Sequence, residues 1–442
     1  MDATPIPEDL ELARDRANPH YLQHMAHTAE RREVQASEDI ISGSGIKLLA
    51  KGARIGPRTR EQLLLHKLAK PLEDCVRIDD GVLPQSLEPI AAALLERHAL
   101  LASICRHERA EPVGAALAGL PLSVPVQSLL TLYADFQGDR LQHGVGVAML
   151  SLALARRLLP GESEQHRLLA IAGLLHDVGE LYIDPQHLRA QQPMRPEIWR
   201  HIASHPVIGY RVLREMQGAG RVVAEAVLNH HERLDGFGYP RGIADAQFTL
   251  DGQILATSEW LMGLIESGQA PLARASVVSK LMPGEFGMPL QTVLAQADVE
   301  QFSDLPDTPQ ALDEALAELE QVMETLARFR ELRAGGAARL EGAGPALRRI
   351  FEQAVARMQR IQAAFSSSGL DFAASPRRIV AELKALRDPQ AHLELQVLAR
   401  EFGWRLRELE REALLRAGLL GDADLALMTE VMQSLGLPPA AE

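Results

Sequence analysis

Apolar positions in this chain recur mainly at three- and four-residue spacing, so helices dominate the expected fold. Between Val124 and Val299 the periodic segments are Val126–Leu159, Glu164–His176, Pro196–Met216, Arg221–Asn229 and Gln253–Ile265. None of them alternates over enough residues to make a major strand. Upstream the pattern changes. Glu33–Ile55 reads as short strands, with turns at Ser42-Gly43-Ser44-Gly45 and Lys51-Gly52. A helix over Thr59–Leu68, a strand at Cys75–Ile78 and a helix over Leu87–Cys105 follow, with Pro89 in the first turn of the last, where proline is tolerated. The stretch before Glu33 is a polar helical lead-in.

Beyond Asp304-Leu305-Pro306-Asp307-Thr308-Pro309 the pattern is amphipathic over Gln310–Arg333, Gly344–Phe365 and Gln390–Gly418, with breaks at Gly335-Gly336, Ser366–Gly369 and Asp388-Pro389. The fold class is mainly α. A small α+β module with a helical linker occupies residues 1–122, an all-helical domain 123–305 and a helical region 306–442. Heptad-like patterning in the last favours a bundle core or a homodimer interface over a signalling module.

Composition narrows the partners. The 442 residues carry a net charge of −13, which excludes a general nucleic-acid binder needing a basic face. A small phosphate ligand held by a few arginines remains compatible. The lysines stop at Lys70 and resume at Lys280, so any phosphate bound in the middle region must rely on arginine, backbone N–H groups or metal. Aromatic residues are 4%, leaving Leu and Ala to build the core. Cys75 and Cys105 read as buried thiols rather than a disulfide framework. The N-terminal stretch lacks the basic and apolar regions of a signal peptide, and no apolar run reaches membrane-span length, so no membrane partner is expected and the expected location is the cytoplasm.

Chemistry concentrates in the histidines. Eight of the 15 fall between His143 and His231. His176-Asp177 ends an apolar run at Gly179, and Asp177 has two oxygens with which to bridge two cations. His205-Pro206 follows, and then His230-His231-Glu232-Arg233-Leu234-Asp235-Gly236-Phe237-Gly238-Tyr239-Pro240. Imidazoles mixed with carboxylate favour iron, manganese, zinc, cobalt or nickel over magnesium or calcium. A pair of such ions polarises a phosphoryl group and activates water, the chemistry of phosphoester hydrolysis.

This ordered set, from His143 through His176-Asp177-Val178-Gly179 and His205 to the HHExxDGxGYP string and Arg241-Gly242, resembles the HD-GYP domain, a subset of the HD phosphohydrolase superfamily. The resemblance runs from near Leu129 to about Leu305. It implies an all-helical HD-type domain, two divalent ions (iron or manganese first) and hydrolysis of cyclic di-GMP to pGpG or GMP. Carried over by position, His143, His176, Asp177, His205, His230, His231 and Glu259 are the implied metal ligands, with a third ion conceivable through Asp139. Asp177 and Glu180 are the candidate catalytic residues. Arg233, Asp235, Gly236, Gly238, Tyr239, Pro240 and Arg241 border the implied substrate site, and the Gly-Tyr-Pro loop is a candidate dock for a diguanylate cyclase. Tyr239 has two readings, substrate contact or packing of the turn.

Three departures from the family pattern matter. Glu180 stands where the family has a phosphate-holding lysine, and Arg233, Arg241, Arg195 and Arg211 are the candidate substitutes. Glu259 stands for an aspartate ligand. Gly146 stands where an arginine often follows the first histidine, and Gln269–Arg274 keeps only the proline of an Arg-Pro-Tyr-like segment. These leave an active cyclic di-GMP phosphodiesterase, a degenerate metal- or nucleotide-binding sensor or scaffold, and a phosphohydrolase of another substrate as the functional readings, in that order.

Overall fold

The computed structural model describes residues 16–106, 110–136, 138–189, 194–243, 247–282, 284–300, 302, 305–333, 343–368, 376–385 and 388–436. The lead-in before Arg16, Asp304 of the inter-domain segment, the Gly335-Gly336 break and Gly369 lie outside them. The described residues divide into two compact units. The first is 1–192, 200–266 and 288–299; the second is 193–199, 267–287 and 300–442.

In the first unit, Asn18 caps α1 (Pro19–Thr28), accepting from the His20 and Tyr21 amides at 2.9 and 3.0 Å. Short strands follow: β1 (Val34–Ala36), β2 (Ile40–Ile41), β3 (Lys47–Leu49) and β4 (Val76–Ile78). β1 pairs antiparallel with β4, Val34 opposite Ile78, and β2 pairs antiparallel with β3, Ile40 opposite Leu49. Helix α2 (Pro57–Leu65) lies between the two pairings in sequence. The small α+β module expected from the alternating pattern is therefore present.

The predicted helix over Leu87–Cys105 is two, α3 (Leu87–Arg97) and α4 (Ala99–Cys105), because His98 is extended at φ −122°, ψ 97°. After α5 (Val113–Ala118), the long segment Val126–Leu159 also divides, into α6 (Val124–Phe136) and α7 (Arg140–Leu158). Gly138, a poor helix former, lies at this break and Asp139 becomes the cap residue of α7. The Asp139 carbonyl accepts from the His143 amide at 3.1 Å, so the two residues stand one turn apart at the start of α7.

Helix α8 (Ser163–Leu175) packs along α7 and ends at His176. Pro196–Met216 divides too, into α9 (Pro196–Ile202) and α10 (His205–Leu213). Pro206 cannot donate to the carbonyl of Ile202 and its ring crowds that turn, so the first helix stops there. Helices α11 (Gly220–Leu228) and α12 (Leu250–Ser267) complete the walls of the site.

The second unit contains α13 (Pro271–Leu281), and α14 (Gly287–Gln296) returns to the first. The remaining helices are α15 (Pro309–Arg333), α16 (Pro345–Ser367), α17 (Pro376–Ala385), α18 (Pro389–Gly418) and α19 (Asp422–Ser434). The 30-residue α18 is the hub, packing on α13, α15, α16 and α19. Its core is partly ionic. Arg405 donates to Glu401 at 2.5 Å and to Glu285 at 3.0 Å, and Arg357 donates to Glu408 at 2.6 Å, all buried. Among the described residues, no helix is long and apolar enough to cross a membrane.

Candidate metal centre

The site lies in the first unit, where helix ends converge. His176 is the C-terminal cap of α8, His205 opens α10, and His230-His231 follow α11. His143 comes from the first turns of α7 and Glu259 from the middle of α12. Gly179 lets the turn after Asp177 press against α10; a Cβ there would sit 2.1 Å from the His205 carbonyl oxygen.

Backbone carbonyls fix three of the rings. Nδ1 of His176 lies 2.8 Å from the Gly173 oxygen, Nδ1 of His205 2.7 Å from that of Ile202 and Nδ1 of His230 2.6 Å from that of Val227. A carbonyl can only accept, so each Nδ1 carries a proton and each ring turns its Nε2 inward. Those Nε2 atoms meet the two oxygens of Asp177. Oδ1 is 3.1 Å from His205 Nε2 and 3.4 Å from His230 Nε2; Oδ2 is 3.1 Å from His176 Nε2. Nε2 of His205 and Nε2 of His230 are only 2.9 Å apart. Such a gathering of lone pairs and carboxylate oxygens requires positive charge among them, which a metal ion supplies.

The donors fall into two groups sharing Asp177: one with His205, His230 and His231, the other with His143 and His176. Glu259 joins the second, its Oε2 lying 2.9 Å from His143 Nε2 and 3.1 Å from His176 Nε2. The extra methylene of Glu259 thus still delivers a carboxylate to the cluster. Residues from five helices or their ends bring a ligand set of borderline-metal type around one bridging carboxylate, and this fits a divalent pair.

Electrostatics divide the imidazoles. Burial holds His230 and His231 below the usual imidazole value, as neutral ligands require. Burial would also lower His176 and His143, but the carboxylates outweigh it: Asp177 and Glu259 raise His176 well above the usual value, and Glu259 pushes His143 up to about 10. Against the penalty of burial, His176 holds Asp177 well below the carboxylate range. Burial, aided by Asp177, pushes Glu180 up to about 7.

The cation beside Glu180 is Arg140, not any of the four arginines proposed from the motif. Its Nη2 lies 3.1 Å from Glu180 Oε2 and its Nη1 3.7 Å from Asp177 Oδ2. The contact with Glu180 is an ion pair without hydrogen-bond geometry, since that oxygen has no hydrogen-bond partner. The signal was in the sequence: Arg140 precedes His143 by one helical turn. The family position one turn after His143 is Gly146, and a Cβ there would meet the Met262 Sδ at 2.5 Å. An arginine at 146 would require the Met262 side chain to move aside.

The Gly-Tyr-Pro loop is internally braced. Buried Glu232 accepts from the Arg241 amide at 2.7 Å and the Ile243 amide at 3.1 Å, so it organises the loop rather than facing a ligand. Asp235 Oδ1 accepts from the Phe237 amide at 3.0 Å. Gly236 takes φ +76°, and a Cβ on Gly238 would meet the Glu232 Cα at 2.4 Å. The Tyr239 ring stacks on His231 with centroids 4.6 Å apart, and the Tyr239–Pro240 peptide is cis. The Arg241 guanidinium donates to Asn229 at 2.5 Å.

A cavity of about 670 Å³ opens on this centre. His143, Asp177 and Glu259 line it on the ligand side, while Arg140 and Asp139 stand at its rim. Asp139 thus reaches the cavity from the start of α7, although it is absent from both donor groups.

Residues 126–276, which hold the helical walls, the His-Asp pair and the converging imidazoles, match the HD domain family. The HHExxDGxGYP string lies inside this matched span, and the region is similar to HD-GYP domains. It is 37% identical over 109 residues to a cyclic di-GMP phosphodiesterase of Pseudomonas aeruginosa, covering 24% of this chain and 26% of the relative. It is 32% identical over 136 residues to a cyclic di-GMP phosphodiesterase of Thermotoga maritima, covering 30% and 36%. It is 33% identical over 126 residues to a 3'3'-cGAMP-specific phosphodiesterase of Vibrio cholerae, covering 28% and 29%. The matches thus span only about a quarter to a third of these relatives' lengths.

Proposed function

We propose that this chain is a metal-dependent phosphodiesterase that hydrolyses cyclic di-GMP to pGpG, GMP or both. The observation that carries this reading is the convergence of three carbonyl-oriented Nε2 atoms on opposite oxygens of Asp177. His205, His230 and His231 would hold one ion, and His143, His176 and Glu259 the other, with Asp177 between them. Iron or manganese suits this donor set best. Bound there, the ions would polarise the phosphoryl group and activate water.

The chain's own residues supply the rest. Asp177 orients the two donor groups about one centre. Arg140 offsets the charge of Glu180, so the acidic replacement of the family lysine does not by itself bar an anionic substrate. Glu180, buried with a carboxyl raised to about 7, is placed to exchange a proton near neutral pH. Glu232 and Asp235 hold the shape of the Gly-Tyr-Pro loop at the edge of the site, and a cyclase docking there would meet a braced surface.

The reading in which the domain is a metal- or nucleotide-binding scaffold rests on Glu180 and on the basic contacts missing at Gly146 and Gln269–Arg274. The test is direct. Protein purified without oxygen is assayed for metal content and then incubated with cyclic di-GMP and with 3'3'-cGAMP. About two ions per chain with pGpG or GMP released from cyclic di-GMP is the expected result. Full metal content without turnover of cyclic di-GMP overturns the assignment.

A further inference from the structure

The cavity is lined by more than the ligand cluster. Of the ligand set, only His143, Asp177 and Glu259 line it; the C-terminal end of α3 also lines it, with Leu94, Arg97 and His98. Glu266 and Asp139 also face the space, so without added cations it would repel a dianion. Two arginines line it. Arg140 is committed to Glu180 and Asp177. Arg97 is exposed and makes no ion pair or hydrogen bond among the described residues. No lysine between Lys70 and Lys280 is available to do the same work.

A cyclic dinucleotide carries two phosphodiesters on opposite sides of one ring. Whichever of them meets the metal ligands, the other points into the remainder of the cavity. We propose that Arg97 is the specificity residue that receives this second phosphodiester, with the extended backbone at His98 setting the end of the wall from which it reaches. The choice of ligand rests on the phosphodiesterase reading; the placement of Arg97 rests on the cavity. A planar guanidinium suits this task, since it offers paired N–H donors to two phosphate oxygens.

The probe is a pair of ligands that differ by one phosphodiester: cyclic di-GMP and linear GpG. Dissociation constants for both are measured on the full manganese-loaded chain and on Arg97→Ala and Arg97→Lys. The unmodified chain should prefer cyclic di-GMP, Arg97→Ala should reduce that preference about tenfold, and Arg97→Lys should keep part of it. A preference unaltered by Arg97→Ala, or no preference in the unmodified chain, overturns the assignment. Release of pGpG is followed in parallel. If the preference falls as expected while no cyclic di-GMP is cleaved, the phosphodiesterase reading fails and the role of Arg97 stands.

Discussion

Arg140 and Glu180 form an ion pair beside the ligand cluster, 3.1 Å apart, with Glu180 buried and Arg140 partly exposed; one comes from the first turn of α7 and the other lies just beyond the His-Asp pair. This relationship changes what the glutamate means. Read alone, Glu180 reverses the charge of a phosphate-holding lysine. Read with Arg140, the glutamate has a cation beside it that offsets its charge when ionised.

The pair therefore predicts its own mutants. Glu180→Lys would set two cations side by side in a buried site, and should lower thermal stability rather than improve substrate affinity. Arg140→Ala leaves a buried carboxylate uncompensated and should cost about 3 kcal/mol. Adding Glu180→Gln to Arg140→Ala should recover much of that loss. Urea unfolding of Arg140→Ala, Glu180→Gln and the double variant gives the coupling energy; additive losses would show that the pair does not interact.

Asp177 should be the least replaceable ligand because it contributes an oxygen to each donor group. Asp177→Ala should reduce metal content from about two ions per chain to less than one. Glu259→Asp, which retains a carboxylate, should hold both ions more weakly. Elemental analysis after dialysis reads both. Retention of two tightly bound ions in Asp177→Ala would exclude the bridging role.

His24 gives an acid-sensitive element away from the metals. It packs edge-on against Phe136 with ring centroids 4.3 Å apart, and burial lowers its imidazole from 6.5 to about 4, with His20 and His27 adding repulsion. The folded value lies below the unfolded one. Its contribution is therefore fully present above about pH 6.5 and is lost as pH falls through about 4, for a total of ~3 kcal/mol. His24→Leu should flatten that part of the stability profile. Parallel profiles for the two proteins between pH 7 and 4 would remove His24 as the cause.

In the second unit, Glu285 accepts from Arg405 at 3.0 Å and lies 3.7 Å from Arg357. Glu285→Ala should cost about 3–5 kcal/mol, since it strands buried guanidinium charge. Glu285→Gln should cost less because it can still accept a hydrogen bond. Chemical denaturation measures both, and equal losses would mean that volume rather than charge decides the effect.

Much of this was legible in the sequence, and the limits have physical causes. Helical periodicity found the segments but not their interruptions, because apolar spacing runs on unchanged across His98, Gly138 and Pro206 while the backbone turns. The histidines and Asp177 stood out as a cluster of metal-ligand types, while Glu259 was reached only through its position in the HD-GYP pattern. Arg140 escaped because its function depends on Glu180, 40 positions away in sequence and adjacent only after α7 and α8 pack. The ionic core around α18 escaped for a related reason: its Glu and Arg residues read as a solvated helix face until their burial is seen.

The stacked pair Tyr21 and Tyr182, with centroids 5.1 Å apart and planes 7° from parallel, has a consequence for inheritance. Asn18 donates to the Tyr182 carbonyl at 3.3 Å, and the Tyr182 hydroxyl donates to Glu73 at 2.7 Å. The turn bearing Glu180 is thus bolted to residues more than a hundred positions upstream. A chain that inherited this turn without the small module before it would leave the Tyr182 ring and hydroxyl without these partners.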